Sequence, residues 1–395
     1  MPTTSSPRAR ARAVADRVEH RRADAERREV HDARTASLLG MALGIAFAIC
    51  FATGVWSHLQ QHPPGWLTLP IGPVGLYRVT QGLHVITGLI AVPLLLAKLY
   101  SVSPQLLQRP AVRGPVHAME RLAILPLVGG SLFLLLTGAG NIARWYPWEF
   151  FFTVGHWWAA WLVLGATMIH LAFKVPVVRA SLAERAAAHT GEPSAEPGEL
   201  TRRGLFVAVG AAAALLTIGT AGQTVPALRR LTWFAPRRPD IGPQGFPVNR
   251  TAAAAGTTEL ADDPGFRLDV VGGGGDDVSF TLEDLHAMPQ RTEVLPISCV
   301  EGWSAEATWT GVSVAEVLRR AGRTVSDVTV RSAQTSGGYR SSELSRTAVD
   351  DERCLLALSV NGEVLHPDHG APLRLIAPNR PGVLQTKWVV RLEAT

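Results

Sequence analysis

Cysteine is scarce: the 395-residue chain carries three, Cys50, Cys299 and Cys354. Cys50 lies inside a long apolar run, so only Cys299 and Cys354 could be bridged, and a scaffold of several disulfides is excluded. Charge is sparse too, at 18% against 47% hydrophobic residues. That balance points to a membrane protein with a soluble part. No long apolar run follows Val225, so the C-terminal part must fold in water. A cleavable signal peptide is excluded, because a long charged tail precedes the first apolar run. The net charge of +5 follows from how arginine and lysine are distributed about the apolar runs, so nucleic acid is not an expected partner.

What the chain does have is five apolar runs, Leu38–Trp56, Gly82–Tyr100, Leu122–Gly140, His156–Phe173 and Leu205–Val225. Each is close to the ~20 residues that a spanning helix needs. The N-terminal tail holds nine arginines from Arg8 to Arg34. Lys98 stands at the end of the second run, Arg109, Arg113 and Arg121 follow it before the third, and Lys174, Arg179, Arg185, Arg202 and Arg203 lie between the fourth and fifth. The alternate segments hold only Arg78 and Arg144. The bias places the N-terminus in the cytoplasm, and an odd number of spans places the C-terminal part outside.

The expected organisation is a charged cytoplasmic tail (1–37), a four-helix transmembrane region of up-down type (38–174), a cytoplasmic linker (175–203), a fifth span (204–225), an extended Pro- and Arg-rich tether (226–250) and a soluble domain (251–395). In the soluble domain FRLDVVG, TEVLPIS, VTVRSA, CLLALSV, APLRLIA and KWVVRLE read as short strands. Asn361-Gly362 predicts a two-residue hairpin turn. Ser313 and Glu316 stand at capping-box spacing before a short helix that Gly322 stops, and LEDLHAM is a second helical turn. The fold class is therefore an all-α membrane bundle joined to a mixed α+β domain with more strand than helix. Gly272–Gly275 reads as a loop, not a phosphate cradle, since no helix follows at the right spacing. Trp145, Tyr146, Trp148, Trp157 and Trp158 form an aromatic belt at the outer interface.

Imidazole inside a bilayer is rare and usually functional. His156 and His170 stand fourteen residues apart in one apolar run, about 21 Å along a helix and on roughly one face. His84 opens the second span on the outer side and His117 precedes the third on the inner side. Depth matching pairs His84 with His156 and His117 with His170, each pair suited to two axial bonds to a haem iron. His58 and His62 also lie outside and could replace His84. The region resembles the four-helix di-haem b cytochromes, such as the membrane subunits of respiratory formate dehydrogenases. That resemblance implies two haem b groups and exchange with the quinone pool.

Thr201-Arg202-Arg203-Gly204-Leu205-Phe206 resembles a twin-arginine export signal, here internal. Such a signal suits a domain that takes up a bulky cofactor before it crosses the membrane.

Cys299 follows a strand in ISCVEGWS, and His369, Arg374 and Lys387 cluster in the last strands, with donors suited to phosphate and pterin oxygens. Residues 245–395 resemble the sulfite-oxidase family of molybdopterin enzymes. The resemblance implies that Cys299 ligates molybdenum, that His369, Arg374, Lys387 and the Gln385-Thr386 backbone bind the cofactor, and that Asn249 joins them. Cys354 reads as core, and Tyr339 as either a surface residue or one facing the cofactor. CVEGWS is closest to the periplasmic methionine-sulfoxide reductases of the family, whereas sulfite oxidases carry an arginine after the cysteine. The chain also ends without the immunoglobulin-like domain through which sulfite oxidases dimerise. The reading is a membrane-bound molybdopterin oxidoreductase that links the quinone pool, two haems and an external molybdenum centre, and acts on a small S- or N-oxide. Two alternatives stand beside it: a haem-free membrane anchor for a molybdopterin enzyme or ligand-binding domain, and oxidation of a sulfite-type substrate with electrons flowing the other way.

Overall fold

The computed structural model describes residues 29–108, 114–150, 152–183, 200–233, 238–324 and 326–395. The tail through residue 28, Arg109, Arg113 and the linker from 184 to 199 lie outside the described residues. The chain forms two compact units. The first comprises Met1–Cys50, Thr87–Asn141 and Trp145–Thr217, and the second Phe51–Ile86, Ile142–Arg144 and Ile218–Thr395.

Among the described residues, five helices are long and apolar enough to cross a membrane: α1 (Ala33–Gln61), α2 (Leu76–Leu106), α3 (Pro115–Ala143), α4 (Phe152–Ala183) and α5 (Arg202–Ala221). Four of them run to 29–32 residues, beyond the apolar runs that seeded them. α4 passes through Lys174, Pro176 and Arg179, into residues expected to begin the linker. The long cationic side chains can extend from such a helix end toward water, so they need not stop it. Ile45, Leu122, Leu125, Leu162, Met168 and Val207 are exposed in a way that only hydrocarbon makes favourable.

Within the first unit, Leu39, Ala46, Ala91, Leu94, Ala97 and Leu205 form a buried cluster, so α5 packs beside α1 and α2. α3 and α4 come close where Gly130 faces Val163: a Cβ at Gly130 would lie 2.6 Å from the valine methyl. Small residues at such crossings are how membrane helices gain packing energy without a hydrophobic drive. The end of the charged tail is not free of the bundle. Val30 and His31 are buried, with Ser101 Oγ donating to Val30 O (2.8 Å) and His31 Nδ1 lying 3.0 Å from Ser101 O. Thr201 caps α5 by accepting from Gly204 N at 3.0 Å, and Arg202 pairs with Asp32 at 3.6 Å.

The second unit holds two five-stranded sheets. Its strands are β1 (Arg267–Gly272), β2 (Val278–Thr281), β3 (Arg291–Ser298), β4 (Ser304–Ser313), β5 (Val328–Ser332), β6 (Ser341–Leu344), β7 (Leu355–Val360), β8 (Glu363–Val364), β9 (Arg374–Ile376) and β10 (Val389–Ala394). One sheet runs β2-β1-β10-β5-β6; the other runs β3-β4-β7-β8, with β9 also on β7. β1 and β10 are parallel, and every other pairing is antiparallel. β7 is apolar at every position but Ser359 because both its faces are covered: Leu356 and Leu358 enter the main core, and Leu355, Ala357 and Val360 enter the cluster around Cys299. Cys354 is buried in the main core, as expected.

Asn361 and Gly362 take positive φ of 52° and 84°, the conformation that a tight hairpin demands. The capping box expected at Ser313 is half formed. Ser313 accepts from Glu316 N, but the Glu316 carboxylate turns to Arg319 and Arg320, where it finds full charges. A complete box stands instead between Thr281 and Asp284, ahead of the LEDLHA helix. The tether expected over 226–250 is another departure. Its end is built into the domain, because Phe246 is 1% exposed and stacks on His369.

Candidate functional site

β3 ends at Ser298, and the chain turns through Cys299-Val300-Glu301-Gly302-Trp303 into β4. Cys299 N donates to Trp303 O (2.9 Å), and Gly302 N donates to Cys299 O (3.0 Å). Gly302 sits at φ 96°, where a side chain would be strained. The turn puts Cys299 at a small cavity, lined also by Pro247, Asn249, Ile297, Trp303, His369, Arg374, Gly382 and Lys387. Burial, together with the nearby Glu301 carboxylate, pushes the thiol well above its usual range. A free thiolate here is therefore costly, and a bound metal would be needed to hold one.

His369 closes a turn whose next residue, Gly370, has φ 111° and abuts Lys387; a Cβ there would lie 3.0 Å from the lysine Cβ. The His369 ring lies 3.8 Å from the Phe246 ring, and its Nε2 donates to Pro243 O at 2.7 Å. A carbonyl only accepts, so Nε2 carries the proton and Nδ1 is the ring's acceptor. Burial and the Arg374 charge bring its pKa down to about 3.

Arg374 opens β9, donates from Nη1 to His369 O (2.9 Å) and stacks 5.3 Å from the Trp309 ring. Its Nε is buried with no partner among the described residues, and burial brings its pKa down to about 9. Lys387 Nζ donates to the carbonyls of Asp368 (2.7 Å) and Arg250 (2.9 Å). Burial, and then repulsion from Arg374, push its pKa far down. The site therefore holds two desolvated cations that repel each other, a combination that an anionic group would relieve.

Of the residues singled out in the sequence, Asn249, Cys299, His369, Arg374 and Lys387 meet at this one cavity. Gln385 and Thr386 are outside its lining. The Gln385 amide reaches the carbonyls of Arg380, Ala377 and Pro296 at 3.3–3.5 Å, and Thr386 Oγ1 pairs with Ser342 Oγ at 2.7 Å. Sequence reasoning missed Phe246 and Trp309 and took Trp303 only as part of the ISCVEGWS motif. Trp309 left a signal, as a large apolar residue among small ones in ATWTG.

Residues 255–395 match the family described as the oxidoreductase molybdopterin binding domain. This part of the chain is a molybdopterin-binding oxidoreductase domain. The chain is 33% identical over 157 residues to a candidate protein-methionine-sulfoxide reductase subunit, YedZ1, of Azospira oryzae, covering 38% of this chain and 56% of that protein. It is 31% identical over 159 residues to the mitochondrial sulfite oxidase of Homo sapiens, covering 33% and 29%. It is 29% identical over 128 residues to the protein-methionine-sulfoxide reductase catalytic subunit MsrP of Ralstonia nicotianae, covering 29% and 39%. The chain thus spans between about a third and about half of these relatives' lengths. The molybdopterin domain's own residues fit the group that its family implies: a thiol shares the cavity with two buried cations, and one guanidinium nitrogen lacks a partner among the described residues.

The membrane histidines show a repeated setting. In the second unit, His84 Nδ1 lies 3.3 Å from Thr53 Oγ1, and a Cβ at Gly54 would lie 3.1 Å from the His84 ring. In the first unit, His156 Nδ1 lies 3.0 Å from Thr137 Oγ1, with Gly138 beside the ring. Each imidazole is thus received by a Thr-Gly dipeptide on the preceding helix. Of the other two paired histidines, His117 Nε2 accepts from Arg121 at 3.5 Å, and His170 Nδ1 has no partner among the described residues. His58 and His62 face one another, ring centroids 5.0 Å apart.

Proposed function

We propose that the chain is a membrane-bound molybdenum oxidoreductase passing electrons between the quinone pool, two haem b groups and a molybdopterin centre outside the cytoplasm. The observation that carries this reading is the meeting of Cys299, Arg374 and Lys387 at one cavity. Cys299 is the protein ligand of molybdenum. Arg374 and Lys387 would neutralise the phosphate and pterin oxygens, His369 would offer Nδ1 as an acceptor, and Asn249 would complete the cradle. When bound, the molybdenum centre supplies oxygen-atom transfer coupled to two electrons. The chain's residues bind and orient it, while Trp303, Phe246 and Ile297 keep water from the thiol side.

His84 with His156 and His117 with His170 are the residues that would hold the two haem irons. The Thr-Gly settings favour His84 over His58 and His62. A histidine held through Nδ1 presents Nε2 to a metal with its orientation fixed.

The substrate class is a small, uncharged S- or N-oxide. Glu301, two residues from Cys299, brings a carboxylate that would repel a sulfite dianion. Arg144 is 3.4 Å from Glu301, and Arg78 is 2.9 Å from Glu306, so both guanidiniums are already paired. The internal twin arginine, Arg202-Arg203, exports the loaded domain. The distribution of basic residues keeps the N-terminus cytoplasmic.

The test is reoxidation. Membranes reduced with dithionite should show paired b-type haem absorption that decays on adding a sulfoxide or an amine oxide. Haem that stays reduced with every oxide, and that in oxidised membranes becomes reduced on adding sulfite, would reverse the proposed direction.

A further inference from the structure

The Cys299 turn is held by more than its own sheet. The second unit also includes the segment Phe51–Ile86 and the chain after Ile218, and both grip the turn. Gln81 Nε2 donates to Val300 O at 3.3 Å. Thr224 Oγ1 lies 3.4 Å from Gly302 O, and Ser304 N donates to Gln223 O at 2.7 Å. Val85 packs against Gly302, where a Cβ would come within 3.1 Å of it.

Gln81 is itself braced. Ser57 Oγ donates to Gln81 Oε1 (3.3 Å), so the Tyr77 hydroxyl, 3.0 Å from Ser57 Oγ, donates to this serine oxygen. Gln61 Nε2 donates to that oxygen too (3.2 Å), and Tyr339 OH donates to Gln61 Oε1 (3.1 Å). The donors run in one sense, from Tyr77 through Ser57 and Gln81 to the Val300 carbonyl. Bonds aligned this way polarise one another. Ser57, Tyr77 and Gln81 are buried, so an unmade bond costs the full desolvation of its groups. The Cys299 amide and carbonyl are already engaged within the turn. The Val300–Glu301 peptide, held through the Val300 carbonyl, is the next element that could swing the cysteine.

We propose that Gln81, braced by Ser57 and Tyr77, is a positioning residue for Cys299, so that the outer ends of α1 and α2 set the geometry of the thiol. The consequence for catalysis rests on the molybdenum reading of Cys299, but the first test does not. Full-length, cofactor-free protein in detergent is treated with iodoacetamide, and alkylation of each cysteine is read by peptide mass spectrometry. Cys354, buried in the main core, reports global opening.

Gln81→Leu should speed Cys299 alkylation about tenfold, the equivalent of one lost hydrogen bond, with Cys354 unchanged. Gln81→Glu keeps the shape and the Ser57 bond but sets an acceptor against the Val300 carbonyl, so its rate should exceed that of Gln81→Leu. Ser57→Ala should give a smaller increase. In molybdenum-loaded protein, Gln81→Leu should also shift the metal's paramagnetic signal. Wild-type rates at Cys299 in Gln81→Leu, equal rates in Gln81→Leu and Gln81→Glu, or parallel gains at Cys354 would each overturn the proposal.

Discussion

Arg374 lies over the Trp309 ring at 5.3 Å while its Nε, buried, meets no partner among the described residues. The stack gives the guanidinium one favourable face. It does not replace water at the unpaired nitrogen, and the drop from 12.5 to about 9 corresponds to a burial cost of about 5 kcal/mol for the charged form. The first prediction follows from that imbalance. Arg374→Met should leave the cofactor-free protein as stable or more stable, since an uncompensated charge is gone, yet lower pterin occupancy tenfold or more by about 1.4 kcal/mol per decade. Melting curves and extracted pterin, measured on one preparation, check both halves.

Acid should destabilise the cofactor-free domain through His369. Its folded pKa lies near 3 and its unfolded value near 6.5, so below pH 6.5 the unfolded chain takes up a proton that the folded one refuses. Stability is thus full above pH 6.5 and falls as the pH drops toward 3, by about 2 kcal/mol at pH 5. Denaturation midpoints at pH 7 and pH 5 should differ in wild type and differ less in His369→Gln.

His170→Ala should remove the inner haem and leave the outer one, halving the haem content. Thr53→Val and Thr137→Val should keep both haems but shift the outer haem's potential, since each removes the Nδ1 partner of an outer histidine. A redox titration of the b-type absorption reads both effects. Unchanged stoichiometry in His170→Ala would defeat the assignment.

A reporter fused after Thr395 should be active only outside the cytoplasm. Changing Arg202 and Arg203 to Lys should strand the domain inside if export uses the twin arginine. Normal export of that double variant would refute the signal while leaving the topology standing.

The five helices were legible because the apolar runs are long and the charges between them one-sided. Five of the residues expected at the cofactor meet at the cavity, because thiol, imidazole and cation chemistry is readable residue by residue. β4 went unread: SAEATWTGVS carries small side chains whose burial comes from the strands on either side, not from its own hydrophobicity. Phe246 was unreadable for a similar reason, since it meets His369 only after the whole sheet has formed. The Gln81 brace reaches across 219 residues to Val300, and no local pattern reports such a contact. The ends of the charged tail and the tether were illegible, because Val30 and Phe246 found apolar partners that composition does not show.

Metal and pterin content of purified full-length protein, wild type beside Cys299→Ser, tests the central claim most directly. Wild type should carry about one molybdenum per pterin and reduce an oxide with an artificial electron donor. Cys299→Ser should keep its pterin, since Arg374, Lys387 and His369 remain, while turnover falls to background. A Cys299→Ser protein with full activity, or wild type free of molybdenum under conditions that load other molybdenum enzymes, would contradict the account.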